Sequence, residues 1–279
     1  MNLYRIISLE TFLDIVLNKR ERYVRPVTWE DTFEGYLFSK FDNQEEKRKI
    51  VEYLYYDVCL KDCGKVITNI MHFDHSRKYV YGQCWSELGE SDALWRIYSY
   101  GKHSIQIQTT DEYLNELIQQ KNIRGTIRKI EYDIVSESDL VKKQMLQSVE
   151  EECAYTSFLH KRKAFEHEKE YRILIYDPQY DGITGFRTYA SMNNVVNDIK
   201  QNVCDDNLVI DSIMKHTECI KLNNKTLNNY YINNIDLNKY IRKITINPLA
   251  EEWYVDLIKK VCLTHNLPLC EKSDLYKDI

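Results

Sequence analysis

The sequence predicts a mixed α+β fold whose strands are mainly antiparallel, and three observations lead there. Apolar residues recur at helical spacing in segments such as 9–19 and 251–265. Others alternate at period two, as in Ser104-Ile105-Gln106-Ile107-Gln108-Thr109. Helical and strand-like segments do not alternate regularly, as a parallel β-α-β chain would require. The 279 residues, 43% hydrophobic and 29% charged, suit a chain that folds and buries a sizeable core. No internal repeat or low-complexity linker divides it, so residues 1–279 are read as a single domain.

Residues 2–7 are short, apolar and β-rich. Ser8 then offers an N-cap to a helix over 9–19, with Phe12, Leu13, Val16 and Leu17 at helical spacing. Residues 22–26 read as a strand ended by Pro26, followed by the acidic turn region 28–35. Residues 42–52 are helical in character and 53–70 are mixed. Residues 79–85 form a strand leading to Ser86-Glu87, and Ser91 caps a short helix over 92–98. The alternating strand 104–109 precedes a helix over 111–121 and a strand over 126–132. One or two helices are expected in 136–163, which include Glu150-Glu151-Glu152. A strong strand at 171–176 stops at Asp177-Pro178. Residues 179–240, rich in Asn and Asp, read as an insertion with short elements. A last strand at 241–246 feeds a helix over 251–265, with Trp253, Leu257, Ile258, Val261 and Cys262 expected inward.

A formal net charge of -5 argues against a protein that grips long nucleic acid by charge alone, but leaves room for contact in a local groove. The eight cysteines are scattered without a CxxC pair, and the N-terminal segment lacks the pattern of a secretion signal. Reduced thiols and a cytoplasmic address, with no membrane partner, are therefore expected. Twenty-two tyrosines give many half-wet aromatic contacts suited to stacking on flat rings; coding bias, with Asn, Ile and Lys also abundant, is the competing account.

Two constellations stand out. The first is Cys84-Trp85-Ser86-Glu87 followed by the helix with Trp95 and Tyr98, whose i, i+3 spacing sets the two rings on one face. They read as a wall for a flat ligand, or as core packing. The second is Glu168-Lys169-Glu170-Tyr171-Arg172, where alternation sends Glu168, Glu170 and Arg172 to one side. Two carboxylates beside an arginine at a strand edge suggest a site if buried and a solvated face if exposed. Cys59 and Cys63 with His72 and His75 have poor zinc spacing, and buried thiols with surface histidines account for them better, so no metal is expected. No glycine-rich phosphate loop and no H-E-x-x-H occurs. Phosphate contacts would then fall to side chains such as arginine.

Four segments together resemble the family known as domain of unknown function 2971. They are LYRIISLETFLDIVLNKRERYVRPVTWEDTFEG, CWSELGESDALWRIYSYGKHSIQI, KRKAFEHEKEYRIL and the tail IRKITINPLAEEW…CEKSDLY. Their order is in turn similar to that of ADP-ribosyltransferases, and to toxins of bacterial anti-phage systems. That resemblance implies a split antiparallel sheet around a cleft with flanking helices. It implies NAD as a consumed substrate, with no permanently bound cofactor, and an acceptor that is RNA, DNA or protein. It also implies a toxin or anti-phage effector, with an antitoxin or inhibitor protein as partner. On this reading Glu170 stabilises the oxocarbenium-like ribose and Glu168 orients the nucleophile or acts as base. Arg5, with Tyr4, holds the phosphate or adenosine side; Ser86, Trp95 and Tyr98 hold the nicotinamide half; and Arg172 completes the NAD set. The alternatives are a non-catalytic binding or sensor protein on the same scaffold and, last, a metal-independent nuclease using Glu168, Glu170 and His167.

Overall fold

The computed structural model describes residues 1–29, 36–99, 101–145, 155–177, 197, 205–217 and 229–277. Its centre is a nine-stranded, mostly antiparallel sheet. The strands are β1 (Asn2–Ser8), β2 (Arg20–Val24), β3 (Val80–Ser86), β4 (Ser104–Thr110), β5 (Gly125–Lys129), β8 (Glu170–Tyr176), β9 (Asn229–Asn233), β10 (Lys243–Ile246) and β11 (Cys270–Lys272). Short strands β6 (Glu131–Ile134) and β7 (His160–Arg162) pair in parallel beside it. One path runs β11-β10-β4-β1-β3 and continues through β8 to β5, while β2 and β9 branch from β3. All pairings in the large sheet are antiparallel except β10 with β11.

The four strands that carry the sequence motifs, β4, β1, β3 and β8, are consecutive neighbours in this path. β1 and β4 pair along their full length, as do β3 and β8. Between these two halves the pairing nearly fails. β1 meets β3 only at Tyr4 and Ser86, and β2 meets β3 only at Val24 and Gly82. The edge of β3 from Gln83 to Trp85 therefore faces a gap between strands.

Local chemistry accounts for the elements around the gap. The Ser8 hydroxyl accepts from Thr11 N at 3.2 Å and starts the helix Leu9–Asn18, which ends at Lys19 in the left-handed region (φ 47°). Its buried face is Phe12, Ile15 and Val16. They join Leu3, Ile7, Ile105, Ile107, Ile244 and Ile246 in one apolar core. A second core holds Phe38, Phe41, Phe73, Phe158, Val80 and Leu174. β3 and β8 serve both, because alternate residues point to opposite faces: Tyr81, Trp85, Ile173 and Ile175 to the first, Val80 and Leu174 to the second.

Several expectations change. The strand expected over 126–132 breaks at Ile130, whose N–H donates to Glu170 O, and its second half becomes β6. In 136–163 a helix forms at Glu137–Met145, but β7 at His160–Arg162 is a strand; Glu150-Glu151-Glu152 lie outside the described residues. The mixed stretch after residue 53 carries a five-residue π-turn, Leu54–Val58, and then the helix Cys63–Tyr79. The described parts of 179–240 build into the fold: Asp206–His216 packs in the second core, β9 extends the sheet beyond β2, and Tyr240 is fully buried. On the helix Glu252–Thr264, Trp253 and Leu257 are exposed, and Tyr254, Val255, Ile258 and Cys262 point inward. The expected stripe was therefore rotated by about one residue.

Candidate functional site

A cavity of about 250 Å³ occupies the gap between β1, β2 and β3. Tyr4, Arg5, Ser86, Tyr98, Glu168 and Glu170, singled out above from the sequence, all line it. It runs along β3, from Arg22, Val24 and Trp29 beside Gly82 to Tyr4 and the two glutamates beside Ser86.

The acidic end is held by a compact ionic cluster. Glu170 opens β8, and its backbone N–H donates to the Tyr132 hydroxyl at 2.7 Å. Its carboxylate accepts from Arg172 Nε at 2.6 Å and from Lys161 Nζ at 3.0 Å. Lys161 also donates to Glu168 Oε2 at 2.8 Å. Burial pushes the Glu170 carboxyl upward, but the charges of Arg172 and Lys161 outweigh it and hold the group well below the usual carboxylate range; the Cys84 thiol adds a hydrogen bond. Glu168 and Glu170 are both buried, at 4% and 2% exposure, so a merely solvated charged face is not what the structure has.

Glu168 arrives by a different route from the simple alternation expected. It closes the 3-10 turn Lys163–Glu168, and Lys169 then takes a left-handed conformation (φ 46°) before β8 begins. The Ser86 hydroxyl donates to Glu168 O at 2.6 Å and accepts from Leu88 N at 3.0 Å. Glu87 N bonds Lys169 O across the same junction. Ser86 thus fixes the turn that presents Glu168.

Arg172 does not line the cavity. It is 1% exposed, gives Nη1 to Phe158 O at 2.7 Å, and lies over the Trp29 ring at 4.5 Å. Its part is to hold Glu170. Trp95 is likewise buried, and its Nε1 points to Glu90 at 3.4 Å. The helix Asp92–Tyr98 offers the cavity Leu94 and Tyr98, at i, i+4, in place of the expected Trp95 and Tyr98. Tyr98 is 39% exposed overall, but desolvation at the cavity wall, with Glu168, Cys84 and Glu170 nearby, raises its pKa, so its phenol stays protonated at neutral pH.

Arg5 is committed elsewhere. On β1 it alternates to the face of Leu3 and Ile7, and its Nη1 meets Glu21 Oε1 at 3.0 Å. Glu21 also accepts from Gln83 Nε2 at 2.8 Å and from the Tyr240 hydroxyl. Burial acts against the Arg5 charge, but Glu21 and Tyr240 more than restore it, so its pKa is raised. Arg22, on β2 at the same cavity, is exposed, and its charge acts on Asp14, but among the described residues its guanidinium makes no hydrogen bond and no ion pair in direct contact. For an anionic ligand it is the better placed cation.

Sequence reasoning missed Lys161, Glu21, Gln83 and Trp29. Lys161 falls in a basic run at the end of the segment expected to be helical, where the structure has the short strand β7. Only its pairing through β7 brings it between the two glutamates. Glu21 falls just before the strand expected over 22–26, so no period placed it; β2 in fact spans Arg20–Val24 and takes it inward. For the zinc question, Cys59 and Cys63 are buried, Cys59 accepts from Asn69 Nδ2 at 3.6 Å, and the side chains of His72 and His75 lie outside those described. The acidic residues of 30–35 are also outside the described residues.

The family model for "Protein of unknown function (DUF2971)" matches residues 94–173. That stretch runs from Leu94 at the cavity wall to Ile173 in β8. It contains Tyr98, Lys161, Glu168, Glu170 and Arg172, and so the whole ionic cluster. The N-terminal and C-terminal segments that also resembled the family lie outside it. No curated protein and no solved structure matches the chain. No helix among the described residues is long and apolar enough to cross a membrane.

Proposed function

We propose that the chain is an NAD-consuming ADP-ribosyltransferase on an ADP-ribosyltransferase-like split sheet. The observation that carries this reading is the buried Glu168–Lys161–Glu170–Arg172 cluster at the end of a gap between strands that is walled by aromatic rings. Loss of nicotinamide from NAD breaks the C1′–N bond. The electron pair goes to the pyridinium nitrogen, and a positive oxocarbenium-like ribose is left. A carboxylate kept ionised by Arg172 and Lys161 suits that charge. Tyr98, Tyr4 and Trp85 offer ring faces for the nicotinamide. Arg22 takes over from Arg5 as the phosphate contact, since an exposed guanidinium can meet two phosphate oxygens at once. The acceptor nucleophile then attacks C1′, and its proton passes to Glu168. The proposed acceptor is RNA, DNA or protein, and the proposed role as a toxin or anti-phage effector rests on the resemblance given above.

The test is NAD turnover by wild type and Glu170→Gln, each first shown to melt cooperatively. The variant should lose about 10²–10³ in rate, the usual effect of removing one preorganised electrostatic contact. Equal turnover in the two proteins would remove the transferase reading. A non-catalytic binding role has one observation in its favour: both Glu170 oxygens already hold cations. NAD bound but never cleaved by the wild type would select it.

A further inference from the structure

The cavity in the gap does not end at Tyr4. A second pocket of about 230 Å³ lies on the other side, lined by Tyr4, Gly89, Glu90, Gln106, Gln108, Lys243 and Thr245. Tyr4 and Gln106 line both. Gln106 Nε2 donates to Gly89 O and ties the segment after β3 to β4, making a partition with the Tyr4 ring. The floor is the polar face of the sheet. Tyr4 pairs with Gln108, Gln108 with Lys243, and Gln106 with Thr245, so all five side chains emerge on one side.

The first cavity alone, at about 250 Å³, falls below the 300–1,000 Å³ usual for ligand pockets. A ligand as long as a dinucleotide, or a donor together with its acceptor, must extend beyond it. The second pocket has the groups to receive it. Tyr4 brings a ring for stacking, and its hydroxyl has no hydrogen bond among the described residues. The half-buried Gln108 side chain is also uncommitted there, and an amide offers one donor and one acceptor edge to a base. The Lys243 ammonium is exposed and without an ion pair among the described residues. The exposed Glu90 carboxylate suits a ribose hydroxyl.

We propose that this pocket is a nucleotide subsite, in which Tyr4 and Gln108 take the base, Glu90 the ribose and Lys243 the phosphate. The nucleotide comes either from the adenylate half of NAD, in which case Lys243 takes the phosphate role given above to Arg22, or from a single-stranded nucleic-acid acceptor. The subsite deepens the transferase reading and rests on it only for the identity of the larger ligand.

The test is calorimetric titration of wild type, Gln108→Ala and Lys243→Ala with AMP, nicotinamide, NAD and a short single-stranded oligonucleotide. AMP should bind the wild type and lose about tenfold in affinity in Lys243→Ala, the scale of one charge-assisted phosphate contact. Gln108→Ala should lose somewhat less, and nicotinamide should bind all three alike. If NAD weakens in parallel with AMP, the subsite holds the donor's adenylate. If only the oligonucleotide weakens, it holds the acceptor. No AMP binding, or equal AMP affinity in all three proteins, overturns the assignment. Failure of the transferase reading looks different: no NAD cleavage by wild type, while AMP still titrates and Lys243→Ala still weakens it.

Discussion

At the residue scale, Lys161 is the side chain whose removal is most informative. It is one cation shared by two buried carboxylates, at 2.8 Å and 3.0 Å. Lys161→Met keeps most of the stem volume and deletes the charge. Breaking a buried pair from one side costs about 3–5 kcal/mol, and chemical denaturation at pH 7 should register that loss. The pH dependence carries a sign. The folded-state pKa of Glu170 is depressed, so its ionised form stabilises the native state above the ordinary carboxylate pKa of roughly 4.3. That contribution is lost only as pH falls through the depressed folded value. Without Lys161 the depression shrinks, so the stability gap between wild type and variant should narrow toward acid. The acid limb of NAD turnover should move to higher pH. An unmoved acid limb would mean that Lys161 serves packing alone. A Glu170→Gln change relieves no crowding between like charges. Lys161 stands between the carboxylates, so this variant should lose stability as well as rate.

At the element scale, the junction of β3 with β2 depends on a missing side chain. A Cβ on Gly82 would come within 2.8 Å of Trp29 Cζ2 and 3.0 Å of Leu174 Cδ2. Trp29 in turn carries the Arg172 guanidinium on its face. Gly82→Ala should therefore push the indole away from Arg172 and cost about 1–3 kcal/mol, as overpacking does. Thermal melts measure the cost, and a changed tryptophan emission reports the ring. Wild-type values of both would show that Leu174 and Trp29 yield without consequence. Gly82 also shows where the sequence was legible and where it was not. The strand and helix patterns placed β1, β3, β4, β8 and the helix at residue 92 within a residue or two, because each is a short apolar stretch bounded by polar or turn residues. The extent of the β1–β3 gap left no periodic mark, since it is set by where pairing stops. Trp95 and Trp253 went astray for a related reason. A short apolar stripe fixes that a helix is amphipathic, but neighbours decide its rotation.

At the scale of the whole molecule, one strand contact, a shared apolar core and one buried carboxylate link the two halves of the sheet. Glu21 is fully buried and gathers Arg5 from β1, Gln83 from β3, and Tyr240 from the segment just before β10. Side chains from β1, β3 and the segment before β10 thus converge on one carboxylate of β2, with one cation among them. Glu21→Gln would keep the shape but leave Arg5 uncompensated, which should cost about 3–5 kcal/mol. At about 2–4 °C per kcal/mol for a chain of somewhat smaller size, the melting temperature should fall on the order of 10 °C. Arg5→Met alone would strand the carboxylate and should cost a similar amount. The double variant Arg5→Met with Glu21→Gln removes both charges, and much of the loss should return, because a neutral pair has no ion to desolvate. The coupling measured by this cycle should be favourable and large. Its consequence for function separates the two arginines at the cavity. If Arg5 only ties the halves together, the stable double variant should bind NAD nearly as wild type does. Arg22→Ala should then weaken NAD about tenfold without lowering the melting temperature. If instead the double variant melts normally but has lost NAD while Arg22→Ala has not, the phosphate contact returns to Arg5, as the resemblance implies.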